Sequence, residues 1–373
     1  MADQVVTGLS IPSFIRTAGR MMGIGIAVVL AGLLSPGKPK PIQDENGRPV
    51  VGSLSEKTFV TINSVNQGMF IQSRDARNPI LLYLHGGMPE YFLTEKYPTG
   101  LENDFTVVWW EQRGSGLSYS PDIPPDTITV EQLIADTLAL TDHLRQRFGQ
   151  ERIYLMGHSG GTFIGIQAAA RAPERYHAYI GVAQMAHQLK SEQLAHDYML
   201  EQFKANGNRV MVRKLGAAPV TMTDGIPAAY LQVRDQAMHL LGIGTTRDMK
   251  SVITGILLPS WLSRAYTLGE KVNLWRGKAQ GGVSILFETM QRADLSQQVT
   301  EFHLPVYFLS GLYDYTCNYT LAKDYFEQII APVKGFYMFE ESAHSPMFEE
   351  SQKVQRILRE DILAGTNHLA DVK

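Results

Sequence analysis

The chain has 373 residues, 44% of them hydrophobic and 19% charged, with a formal net charge of −3. This length and apolar content suit a core domain carrying an insertion, and the near balance of charge leaves no basic footprint for nucleic acid. A single cysteine, Cys317, excludes an internal disulfide, and no Cys-x-x-Cys or His-x-x-x-His spacing points to a metal.

The first 35 residues differ in kind from the rest. Arg16 and Arg20 precede an uncharged run from Met21 to Leu34. A full membrane span needs about 20 apolar residues. The run therefore suits a signal-peptide core, or an anchor helped by Ile11 to Ile15 and tilt. With no convincing small-x-small cleavage site, residues 1–35 are read as an uncleaved anchor, which would give membrane association. Export is a second reading. A helix packed on the folded domain of a cytoplasmic protein is a third. Residues 36–55, polar and rich in proline, read as a linker.

Glu56 to Ile62 and Met69 to Ser73, around a turn at Asn66-Gln67-Gly68, predict an antiparallel hairpin at a sheet edge. Ile80 to Leu84 reads as a buried strand that runs into His85-Gly86-Gly87-Met88-Pro89. A further strand, Phe105 to Val108, leads into Trp109-Trp110-Glu111-Gln112-Arg113-Gly114-Ser115-Gly116-Leu117-Ser118. Thr129-Val130-Glu131-Gln132 predicts a capping box at the head of a helix. Its residues Ile134, Leu138, Leu144 and Phe148 fall near one face.

The most informative stretch comes next. Ile153 to Met156 reads as a strand, and Gly157-His158-Ser159-Gly160-Gly161 follows. A small-residue helix from Thr162 to Ala170 comes after it. Strand, sharp turn and helix with a serine at the apex hold a hydroxyl out of the sheet. Glycines at the flanks avoid collision with neighbouring backbone. Ala178 to Val182 predicts one more strand. Residues 186–302 then turn helical in tone, at Ser191 to Ala205, Ala228 to Leu241, Thr246 to Leu258 and Val283 to Arg292. Trp261, Tyr266, Trp275 and Phe287 read as the aromatic core or the pocket wall of this insertion.

Leu304 to Ser310 reads as a strand ending at Gly311-Leu312-Tyr313-Asp314, and Gly335 to Phe339 as another, ending at Glu340 to Pro346 with His344 in the loop. Cys317 reads as a packed thiol in the loop of Asp314. Val354, Ile357, Leu358 and Ile362 mark a final helix at core spacing.

Strands alternating with helices mean a mostly parallel central sheet covered on both faces. Ser159, Asp314 and His344 all fall at strand C-terminal ends, where such sheets bind ligands. The chemistry needs these residue types. A serine hydroxyl is a poor nucleophile until a base takes its proton. His344 would take it and Asp314 would orient the ring. The order serine, acid, histidine matches that of α/β-hydrolases. The oxyanion of acyl transfer needs backbone N–H donors, expected from Gly160 and from Gly87. The glycine pairs fit neither a dinucleotide nor a phosphate loop, so no cofactor is expected.

His85-Gly86-Gly87, Gln112-Arg113-Gly114, Gly116 and Ser118, with the three triad positions, carry a more specific likeness. The chain resembles the proline iminopeptidase-like branch of the α/β-hydrolase superfamily over residues 56–185 and 300–363. It departs from that branch at Met88-Pro89-Glu90 in place of Pro-Gly, at Glu111 in place of Asp, and at His158-Ser159-Gly160 around the nucleophile. The resemblance implies a hydrolase core over 56–185 and 303–373, with a helical cap over 186–302. It also implies an aminopeptidase-like serine hydrolase acting on small molecules or short peptides. In that branch cap carboxylates bind the free amino end of the substrate. Asp197, Glu201, Glu270 and Glu288 are candidates here, with no assignment among them. Glu111 and Arg113 read as structural. A carboxylesterase or lactonase is the alternative, and a catalytically idle binding protein on the same fold is the alternative of another class. The serine at the elbow argues against epoxide hydrolase and haloalkane dehalogenase chemistry, which needs an aspartate there. The sequence carries no signal for oligomeric state.

Overall fold

The computed structural model describes residue 29 and residues 32–373. Eight strands form one sheet in the order β1-β2-β4-β3-β5-β6-β7-β8. They are β1 (Leu54–Ile62), β2 (Val65–Ser73), β3 (Ile80–Leu84), β4 (Thr106–Trp110), β5 (Ile153–His158), β6 (Tyr176–Val182), β7 (Val306–Gly311) and β8 (Lys334–Phe339). β1 and β2 run antiparallel at one edge, β2 meets β4 antiparallel, and the other pairings are parallel.

Successive residues of the central strands face opposite layers. Leu82, Leu84, Val108 and Leu155 join a core under the helices α1 (Val130–Phe148) and α2 (Gly160–Arg171). Leu81, Tyr83, Val107 and Met156 join the opposite core, closed by Ile357 and Leu358 near the C-terminus. Apolar side chains on both faces are why these strands read as unbroken hydrophobic runs.

The edge hairpin turns elsewhere than expected. Asn63 and Ser64, both at positive φ, make a two-residue turn, and Asn66 to Gly68 lie within β2, with Gln67 opposite Val60. Two-residue turns of this hand match strand twist, and asparagine tolerates them. Gly68 serves another need, since a Cβ there would come 2.4 Å from Leu117 Cβ. The predicted capping box at Thr129 is half made. Its hydroxyl accepts from the Gln132 N–H, but the Gln132 side chain reaches forward to Asp136.

Between β6 and β7 lie α3 (Gln188–Ala205), α4 (Arg209–Gly216), α5 (Ala228–Leu241) and α6 (Leu268–Gln280), with shorter turns between. Met199, Phe203, Leu215, Tyr230 and Met238 form a separate apolar cluster among them. The segment expected as a helix from Thr246 to Leu258 is instead irregular up to a short π-helix at Ile253–Leu257. α6 has no counterpart among the expected helices, although Thr267 and Glu270 form its complete capping box. After β7 and β8 come α7 (Tyr319–Gln328) and α8 (Ser351–Ile357).

The apolar run read as a membrane segment, Met21 to Leu34, lies mostly outside the described residues. No helix among the described residues is long and apolar enough to cross a membrane. Where the chain becomes described it lies on the insertion. Gly32 sits against Trp261, and the Ser35 hydroxyl donates to the carbonyl of Tyr266 at 2.6 Å.

Candidate active site

The chain folds sharply at Ser159 because β5 must reverse into α2 at the C-terminal ends of the parallel strands. Ser159 stands at φ 54° and ψ −127°, a conformation that side chains rarely adopt. The flanking glycines are required by contact. A Cβ on Gly157 would lie 2.8 Å from the Gly161 carbonyl oxygen, and one on Gly161 would lie 2.1 Å from the Leu84 carbonyl oxygen. The elbow therefore packs directly on the end of β3. Gly86 lies just above it, with its missing Cβ position 3.1 Å from both the Ser159 Oγ and the Gly160 N.

Asp314 and His344 come together. His344 Nδ1 donates to Asp314 Oδ2 at 2.9 Å, and both side chains are buried. The other carboxylate oxygen accepts the N–H groups of Thr316 and Cys317 at 2.8 and 2.9 Å. Their loops approach closely because β7 ends in Gly311, where a Cβ would stand 1.9 Å from the Ala343 carbonyl oxygen. With Nδ1 engaged, Nε2 is the nitrogen left to move a proton. Ser159 and His344 open onto the same cavity, of about 400 Å³, between the core and the helical insertion. Among the described residues no hydrogen bond joins the Ser159 hydroxyl to the His344 ring.

Gly87 and Gly160 also line this cavity. Neither N–H is donated to a protein acceptor among the described residues. His85 sets the first of them. Its Nδ1 donates to the Gly86 carbonyl at 2.8 Å, while Nε2 accepts the Gln112 N–H at 3.1 Å. Burial lowers its pKa to about 4, so the ring is neutral, as that pattern demands. The Gly86 carbonyl and the Gly87 N–H belong to one planar peptide and point opposite ways. Fixing the carbonyl on His85 thus turns the N–H away from that ring.

Arg113 and Glu111 serve the scaffold. Arg113 forms a buried two-pronged pair with Asp136 at 2.6 and 3.0 Å, and Glu111 bonds Tyr266. Cys317 is buried against the cavity, and burial pushes its thiol pKa well up. Of the aromatic residues singled out, Trp275 and Phe287 line the cavity, whereas Tyr266 is buried on Glu111 and Trp261 lies against Gly32.

The four acids considered for the substrate's amino end do not line the cavity. Glu270 caps α6 and pairs with Lys57 at 2.8 Å, Asp197 pairs with His196, and Glu288 pairs with Arg292. The acids that do line it are Glu90 and Asp235. Asp235 takes Arg234 Nη1 on Oδ1 at 2.9 Å and leaves Oδ2 without a protein donor among the described residues. Arg234 is itself pinned by the fully buried Glu192 at 2.6 and 2.7 Å. Position on a helix surface hid Asp235, since exposed acids there are common. Glu90 was visible only as a departure from a motif.

The chain matches the family model described as alpha/beta hydrolase fold over residues 79–351. A relative in Bacillus subtilis, the probable aminopeptidase YbaC, is 29% identical over 307 residues, covering 81% of this chain and 94% of that protein. The crystal structure of proline iminopeptidase from Mycobacterium smegmatis superposes with a TM-score of 0.59 at 18% identity, covering 83% of this chain and all of that one. An epoxide hydrolase from Bacillus megaterium superposes at 0.51 and 17% identity, covering 82% of this chain and all of that one. These structural likenesses establish the fold. With the sheet order, the elbow and the matched span, this chain belongs to the α/β-hydrolase fold family and is a hydrolase by descent.

Proposed function

We propose that the protein is a serine hydrolase that removes residues from the free amino end of short peptides. The observation that carries the reading is the 2.9 Å bond from His344 to Asp314, at one wall of the cavity into which Ser159 is raised. Ser159 Oγ attacks the scissile carbonyl carbon and its proton passes to His344 Nε2. Asp314 holds the tautomer and stabilises the charged ring. The N–H groups of Gly87 and Gly160 receive the oxyanion. His344 returns the proton to the leaving amine, which departs as the C–N bond breaks. Water then attacks the acyl-enzyme by the same relay. Hydrogen bonds of this kind commonly close only with substrate bound, which accords with the open serine–histidine contact.

The amino-end preference draws on the YbaC likeness and on Asp235, which lines the cavity, has one carboxylate oxygen without a protein donor among the described residues, and suits an ammonium. A serine elbow cannot form the alkyl-ester intermediate of the epoxide hydrolases, so that neighbour's chemistry does not transfer. The test is a fluorophosphonate probe with Ser159→Ala beside wild type, followed by prolyl and other aminoacyl arylamides set against short acyl esters. Labelling that persists in Ser159→Ala defeats the nucleophile. Turnover of esters alone, unaffected by Asp235→Asn, moves the substrate class to esters.

A further inference from the structure

Two of the three places where the chain leaves the motif pattern are bonded to each other. Glu90 stands in the loop after β3 and His158 directly before the nucleophile. His158 Nδ1 lies 2.9 and 3.0 Å from the two Glu90 oxygens. Its Nε2 lies 2.9 Å from the main-chain carbonyl oxygen of His344. Tyr83 of β3 donates to the same carboxylate at 2.5 Å. The His158 and His344 rings pack with centroids 4.9 Å apart.

Each His158 nitrogen therefore faces an acceptor. A neutral imidazole has one N–H and would leave a lone pair aimed at either the carboxylate or the carbonyl. A ring with a proton on each nitrogen satisfies both. The contacts also join three segments at one point: the oxyanion loop through Glu90, the elbow through His158, and the loop of the base through the His344 carbonyl. We propose that His158 is a positioning residue for the serine-hydrolase reaction, a doubly protonated ring whose Nε2–H clamps the His344 carbonyl and keeps the base aligned between Asp314 and Ser159. The proposal rests on the reading of Ser159 and His344 given above.

The groups facing the ring are consistent with that state. Glu90 and the neutral His85 come from the oxyanion loop, Tyr83 from β3, and Asp314 and His344 from the loops after β7 and β8. Burial works against a charge on His158, but the charge and hydrogen bond of Glu90, the His344 carbonyl and Asp314 outweigh it and hold its pKa above the ordinary value. Burial likewise opposes a charged Glu90, yet His158 and Tyr83 hold its pKa below the usual range.

Full-length protein with 15N-labelled histidine reads the ring directly, His158 being identified by its change in Glu90→Gln. Both ring nitrogens should carry protons at pH 7, and a neutral ring there overturns the proposal without any assay. His158→Phe keeps the ring packing but loses the donor. Labelling of Ser159 by fluorophosphonate and kcat should fall about 10- to 100-fold, with KM moving less than about threefold. Glu90→Gln is the conservative rescue. Its amide can donate to Nδ1, so the ring becomes neutral with its proton on Nε2, and kcat should stay within about threefold of wild type. Wild-type rates in His158→Phe, or a Glu90→Gln variant as slow as His158→Phe, overturn the clamp. If His158→Phe does not fold, the wild-type ring state and Glu90→Gln still decide. Wild type that fails to label defeats the serine-hydrolase reading instead, and the two failures are thus distinct.

Discussion

Glu111 of the core and Tyr266 of the helical insertion share a buried hydrogen bond of 2.5 Å. The second carboxyl oxygen accepts the Leu117 N–H, also at 2.5 Å. Burial pushes the Glu111 pKa up to about 8, beyond what those two hydrogen bonds can offset. A carboxyl that holds its proton more tightly folded than unfolded stabilises fully below its unfolded pKa, near 4.5. That contribution is lost as pH rises toward about 8, at about 1.4 kcal/mol per pH unit. The side chain introduced by Glu111→Gln would mimic the protonated acid, its amide donating to Tyr266 and its carbonyl accepting from Leu117.

Urea unfolding at pH 5 and pH 8 reads this term. Wild type should lose more stability between the two than Glu111→Gln does, because only the acid titrates at that position. Parallel losses would show that Glu111 keeps an ordinary pKa.

The neighbouring glycines Gly86 and Gly87 of the proposed oxyanion loop should answer differently to alanine. A Cβ on Gly86 would stand 2.7 Å from the Ser159 Cβ and 3.1 Å from the Gly160 N. Gly86→Ala must shift Ser159 or the loop, and kcat should fall about 100-fold with thermal stability little changed. A Cβ on Gly87 meets only the end of the Lys278 side chain, at 3.9 Å. Gly87→Ala keeps its N–H and should stay within about tenfold of wild type. Equal losses in the two variants would place the sensitivity in loop rigidity and not in contact with the serine.

Much of this arrangement was legible because close contact restricts residue type. The elbow glycines, the apolar strands and the residues at their ends are local signals, and the sheet brings Asp314 to His344 without further information. The glycine of the edge hairpin misled, because Gly68 answers to Leu117 across the fold and not to the turn. Glu270 misled in the opposite sense. An acid three residues after Thr267 is a capping signal, but the helix it opens carries few apolar residues on a clear face. Asp235 and the bond from Glu90 to His158 lay beyond reach, since side chains 68 residues apart are paired only by the tertiary fold.

Arg113 and Asp136 form a pair that supports the fold away from the cavity. Both are buried, and Arg113 also donates to the Asn63 carbonyl at 3.1 Å, at the turn of the edge hairpin. Arg113→Ala leaves Asp136 without its ionic partner, although Asn63, Gln67 and Gln132 still donate to it. Removing one member of a buried pair costs about 3–5 kcal/mol, and the surviving amide donors place this case toward the lower end. Denaturant midpoints should fall accordingly, while activity per folded molecule at low temperature stays near wild type. A selective loss of kcat with stability intact would give Arg113 a role in the reaction.

Asp314→Asn tests how the proposed base, His344, is held. Thr316 and Cys317 both donate to Oδ1, so an asparagine there must present its carbonyl oxygen to them and its NH2 to His344 Nδ1. Nδ1 then becomes an acceptor and the ring carries its proton on Nε2, where it cannot take one from Ser159. The backbone need not move, because the amide fills the volume of the carboxylate. kcat should fall about 10³- to 10⁴-fold while KM and the melting temperature change little. Kinetics on an aminoacyl arylamide with a melting curve in parallel reads both quantities. A variant that retains a tenth or more of wild-type kcat would mean that another group governs the histidine tautomer, and Asp314 would lose its place in the mechanism.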